Sequence, residues 1–191
     1  MENPFLQPYT TPHGTVPFDK IELVHYEPAI REGISQEDKE INDIISNPEK
    51  PTFKNTILAL EQSGKLLDQV TTVMFNLMSA ETCNELDEIA EKMMPLLSEH
   101  SNNISLNEKL FERVKQVYED RKNLKLTPEE LRLLEKTYDG FVRNGANLSE
   151  EDKVTFRKIS TELSSLTLRF AQNHLKETNS YELLLDSEEQ L

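Results

Sequence analysis

Cysteine is almost missing from this chain. Cys83 is the only one in 191 residues, so no intramolecular disulfide can form, and a reducing compartment fits the sequence. Basic side chains are also scarce. There are 21 Lys and Arg against 35 Asp and Glu, a net charge of −14. A surface of that sign attracts neither phosphate backbones nor anionic lipid, which argues against a nucleic-acid or membrane partner. No apolar run approaches the ~20 residues that a membrane helix needs. Met1-Glu2-Asn3-Pro4-Phe5 lacks both the basic and the apolar region of a signal peptide. The reading is a soluble, cytoplasmic protein.

Chemistry-bearing patterns are equally sparse. The four histidines, His13, His25, His100 and His174, are far apart, so no helical H-E-x-x-H zinc pair exists. His13 beside Gly14 reads as a turn residue. His174, near the end of a helix, reads as a cation favoured by the helix dipole. Cys83 has no basic neighbour to lower its pKa. There is no glycine-rich phosphate loop and no G-x-S-x-G elbow. Carboxylate pairs such as Glu37/Glu40 and Glu85/Glu88 read as solvated helix faces. Met74, Met78, Met93 and Met94 read as core filler. No repeat of the ~34-residue tetratricopeptide kind is present.

What the chain does contain is helical periodicity. From Ser149 to Thr178 neither proline nor glycine interrupts, and Phe156, Ile159, Leu163, Leu166 and Phe170 recur at 3,4,3,4 spacing. Ser149 supplies the N-cap, with three acids in the first turn. Five shorter helices are expected before it. The first begins near Tyr26, with Pro28 in its first turn and Ile30, Ile34, Ile41 and Ile44 inward. The second runs from about Lys54 to Ala80, with Gly64 on its apolar face as a point of close approach by a neighbour. The third follows a capping box at Thr82-Cys83-Asn84-Glu85, kinks at Pro95 and frays at His100 to Asn103. The fourth spans about Asn107 to Lys122. The fifth opens at Thr127-Pro128-Glu129-Glu130 and stops at the left-handed cap Asn144-Gly145.

Residues 1–19 hold four prolines and read as an arm whose Phe5, Leu6, Tyr9, Val16 and Phe18 keep it against the body. Residues 20–179 form the helical lobe. In 180–191, Tyr181 to Leu185 has the bulk of a short strand without a partner in the chain. The end at Gln190-Leu191, with no cap or polar tail, reads as a cut. The expected fold is therefore all-α, about six helices packed along the long C-terminal helix (149–178), with a short terminal strand.

Seven stretches together carry a family likeness. They are Pro17-Phe18-Asp19-Lys20-Ile21, His25-Tyr26-Glu27-Pro28-Ala29-Ile30, Pro51 to Ile57 with Ala59-Leu60-Glu61, Leu110-Phe111-Glu112-Arg113, Leu126-Thr127-Pro128-Glu129, Phe141 to Ala146, and Phe170-Ala171-Gln172-Asn173. In this order they resemble the N-terminal region of the M3 metallopeptidases, the thimet oligopeptidase family, and within it the bacterial peptidyl-dipeptidase and oligopeptidase A branch.

The resemblance implies a neurolysin-like N-terminal lobe of a two-lobed helical zinc peptidase. A deep channel would admit short oligopeptide substrates and exclude folded proteins. The family's zinc ligands, an H-E-x-x-H helix and a downstream glutamate, lie in its C-terminal part and have no counterpart here. No catalytic, cofactor-binding or metal-ligating role is therefore carried onto any residue of this chain. The piece would wall the channel, be inactive alone, and tend to self-associate through its exposed lobe interface. The alternative from another class is a stand-alone helical adaptor that binds a partner helix in a groove.

Overall fold

The computed structural model describes residues 2–187. Its elements are helices α1 (Tyr26–Ser46), α2 (Ala59–Glu61), α3 (Lys65–Ala80), α4 (Asn84–Ser105), α5 (Glu108–Glu119), α6 (Pro128–Arg143) and α7 (Glu150–Ser180), with short 3₁₀ turns between some of them. A π-helical turn, Phe53–Leu58, leads directly into α2. The fold is all-α. The expected strand is absent: Tyr181 to Leu185 leave α7 without pairing, and no strand occurs among the described residues. A strand needs a neighbouring strand to take up its backbone groups, and none is present among the described residues. Residues 188–191, the rest of that expected connection, are outside the described range.

The organising element is α1 rather than α7. Its N-terminal half gives Tyr26, Ala29 and Ile30 to one core, shared with α3, α4 and Phe5. Its C-terminal half gives Ile41 and Ile44 to a second core, shared with the π-helical turn, α5 and α6. One helix of 21 residues, roughly 30 Å long at 1.5 Å per residue, thus serves two clusters in series. The proline-rich arm is tied to its start. Phe5 is buried against Tyr26, ring centroids 5.2 Å apart, and Asn3 Nδ2 donates to the His25 carbonyl at 2.8 Å.

Glycine placement explains how α1 and α3 come together. A Cβ at Gly33 would lie 2.9 Å from the Leu67 Cα, so the close helix crossing is at Gly33 and not on an uninterrupted second helix. That second helix is broken. Gly64 adopts φ +69°, the left-handed region glycine enters without steric cost, and caps the start of α3. Its N–H donates to Glu40 Oε2 at 2.8 Å, and a Cβ there would sit 2.5 Å from the Glu37 carboxylate. A neighbouring helix does press on Gly64, but through acid side chains at a chain break.

Caps account for most other boundaries. Thr52 and Asn55 exchange bonds at the π-helical turn. Thr127 and Glu130 do the same at α6, and Ser149 accepts from the Asp152 amide at α7. The capping box expected at Thr82 does not form: Cys83 is the N-cap of α4, and Thr82 Oγ1 donates to Asp87 Oδ1 at 2.7 Å instead. Buried Arg113 of α5 donates through Nη1 to the Asn47 and Glu49 carbonyls at 2.9 and 3.4 Å, placing a cation where the dipole of α1 ends. Between α5 and α6, Phe111 stacks on Tyr138 and Phe141, and Arg121 lies 3.9 Å from the centroid of the Tyr118 ring, a cation–π contact.

The largest departure is α7. Its expected inward row is outward: Ile159, Leu163, Leu166 and Phe170 are 60%, 61%, 53% and 73% exposed. The packed side is polar and small. Ser160 and Asn102 exchange bonds at 2.7 and 3.0 Å, Ser164 meets Ser98 at 3.5 Å, and Arg157 donates to Asn103 at 2.7 Å. Short side chains let two helices lie close. Within the stretch His100 to Asn103, His100 and Asn102 are buried and bonded, so it is an ordered part of α4 and not a frayed end.

Replacing Gly33 with alanine should destabilise the protein by about 1–3 kcal/mol, because backbone rather than a mobile side chain occupies the space. Urea unfolding measures this. An unchanged midpoint would show that α1 and α3 separate more easily than their contact at Leu67 indicates.

Candidate functional site

The histidines are dispersed by the fold as well as by the sequence. His13 sits at φ +59° in a tight turn, as its neighbour Gly14 suggested. His25 is buried at the entry to α1 and accepts from the Glu22 amide through Nδ1 at 2.9 Å. His174 lies on α7 with its ring stacked near Phe170. Cys83 is exposed. Among the described residues no group of three His, Cys, Asp or Glu side chains could hold a metal ion.

A tight cluster of ionisable groups that includes a buried histidine lies between α1 and α4. His100 is buried, its Nε2 2.8 Å from Glu37 Oε2 and its Nδ1 3.3 Å from Asp38 Oδ1. Of the pair Glu37/Glu40, expected on a solvated helix face, Glu40 is exposed and also accepts from the Gly64 amide, whereas Glu37 is mostly covered and ion-paired. The hydrogen bond to Glu37 raises the His100 pKa above its usual value; burial opposes the shift, and the charges of Glu37 and Asp38 reinforce it. Both ring nitrogens face carboxylates, so the cluster clamps α1 to α4 and leaves no lone pair for zinc. Periodicity could not reveal it, because the partners are 63 residues apart in sequence.

A second buried charge fixes the start of α7. Lys153 Nζ contacts Glu150 Oε1 at 2.7 Å and Glu108 Oε1 at 3.0 Å. The bond to Glu150 leads in raising the Lys153 pKa, so the ammonium stays charged.

The concave surfaces are open grooves. One, about 510 Å³, runs between α3, α4 and α7 and is lined by Phe75, Met78, Leu168, Phe170 and Leu175, among others. A wider one, about 710 Å³, borders the His100 clamp and includes Glu37, Gly64, Asp68 and Ser164. Neither groove brings a nucleophile together with a base among its lining residues. No helix of the described residues is long and apolar enough to cross a membrane.

Comparison with known proteins supplies what these grooves do not. The chain is 42% identical over 189 residues to the dipeptidyl carboxypeptidase of Escherichia coli K12, covering 99% of this chain and 28% of that protein. It is 27% identical to the oligopeptidase A of Haemophilus influenzae over all of this chain and 27% of that protein. A similar match, 27% identical over 99% of this chain, is to an organellar oligopeptidase A of Arabidopsis thaliana. The chain spans about a quarter of the length of these relatives, from 23% to 28%. No family model matches it.

The clamp makes a signed prediction about pH. Because folding raises the His100 pKa, its stabilising contribution is complete below the unfolded value of about 6.5 and is lost as pH climbs through the folded value. Thermal unfolding midpoints should fall over that window in the native sequence and stay flatter in His100→Gln. Parallel curves for the two proteins would remove the clamp from the account of stability.

Proposed function

We propose that this chain, a homologue along its length of part of the M3-family peptidases named dipeptidyl carboxypeptidase and oligopeptidase A, is the N-terminal portion of a zinc-dependent peptidase. The whole protein would hydrolyse short oligopeptides, releasing dipeptides from their C-termini, in the cytoplasm. The observation that carries the reading is identity of 42% across 99% of the chain to a protein named for that activity. This portion contributes wall, not chemistry: helices packed around two cores form a rigid face that can border a peptide channel and limit what enters.

Zinc does not fit the residues at hand. The four histidines stand on separate elements, and His100 has both nitrogens engaged by acids. The metal, held elsewhere in the longer protein, would polarise the scissile carbonyl and activate a water. No step is assigned here to a residue of this chain. Its part is to shape access to the channel.

The test is made on the native protein. An antibody against this chain should detect a species roughly three and a half times its length, in keeping with the 28% coverage of the relative. That species, purified, should release C-terminal dipeptides from short N-blocked peptides, lose the activity to a chelator and regain it with zinc. A native species no longer than this chain would sink the peptidase reading and favour the helical adaptor.

A further inference from the structure

An amphipathic helix in a folded protein turns its apolar stripe inward. In α7 that arrangement is inverted. The packed side carries Ser160 and Ser164 against α4, Lys153 against Glu108 of α5 and the buried Leu168, while Ile159, Leu163, Leu166 and Phe170 face away. Their spacing of 4,3,4 is the seam by which one helix meets another. Near the C-terminal end of the row, Phe170 also lines the groove of about 510 Å³ between α3, α4 and α7. At the edge of that groove the Gln172 side-chain Nε2 is shut off from solvent and has no hydrogen-bond acceptor among the described residues. Beyond α7, Tyr181, Leu183 and Leu184 are exposed as well.

We propose that the apolar row of α7 and the adjoining groove form one docking surface for a helix from the remainder of the same polypeptide. This rests on the reading of the chain as part of a longer peptidase. Two observations choose that occupant over a second copy. The relatives have nearly three quarters of their length outside the matched region, so ample chain is available to cover the row. The row is also too small for the alternative. Four exposed side chains amount to a few hundred Å², on the order of half the ~800 Å² per partner that a stable dimer buries. A patch of that size is sufficient when covalent linkage keeps the partner at high effective concentration. The occupant brings apolar side chains to the row and the groove.

Thiol labelling of the full-length protein tests this. Leu163→Cys and, separately, Ile159→Cys are treated with a small thiol reagent, and modification is read by mass spectrometry on the tryptic peptide 159–169. Two positions guard against one variant failing to fold. In the native protein the introduced thiol should react at least about 100-fold more slowly than in denaturant, at every dilution. Labelling within a few-fold of the denatured rate would overturn the proposal while leaving the longer peptidase in place. Protection that vanishes on dilution to a monomer would overturn it in favour of a second copy. A native protein no longer than this chain would remove both the docking surface and the peptidase reading.

Discussion

Everything in this lobe depends on the close crossing of α1 and α3 at Gly33. With no side chain there, the Leu67 backbone comes into contact and the two helices share Ile30, Val70 and Met74 in one core. The same helix α1 then continues into the second core through Ile41 and Ile44. Two clusters mounted on one rigid rod cannot move independently, so each helps fix the orientation of the other. The caps follow from that arrangement. Arg113 on the carbonyls after α1, Glu40 on the Gly64 amide and His100 on Glu37 all join another element to α1 or to the segment just after it.

Helix α7 stands apart from this frame. It is attached through α4 by a polar ladder and through Lys153 to Glu108 of α5, and it buries only Lys153 and Leu168 among its described side chains. Hydrogen bonds between short polar groups contribute modestly in net terms but are directional, so they fix the register of α7 on α4 without consuming its apolar row. The result is a helix presented by the lobe and not absorbed into it. Such a surface suits a piece that borders other parts of a larger protein.

Much of the fold was legible in the sequence because helix boundaries are local. Pro28, Thr127-Pro128, Asn144-Gly145 and Ser149 act on amides and carbonyls within one turn, and the structure places helix ends beside each of them. The burial of Ile30, Ile41 and Met74 followed from periodicity for the same reason. The failures were also physical. Gly64 looked like an interior glycine because a left-handed φ leaves no trace in composition. Thr82 had the right spacing for a capping box, yet the helix starts one residue later with Cys83 as its N-cap. The His100 clamp was invisible in the sequence because its partners meet only when α1 and α4 fold together.

By itself the sequence determined that the chain is helical, where most helices start and stop, and which peptidase family it resembles. These are properties of neighbouring residues or of motifs in order. The tertiary structure alone decided which face of α7 packs, which glycine marks the crossing and which acids meet His100. Periodicity identifies an apolar face, but whether that face is covered depends on the elements available to cover it. In this lobe α4 reached α7 from the polar side, and the apolar row remained open.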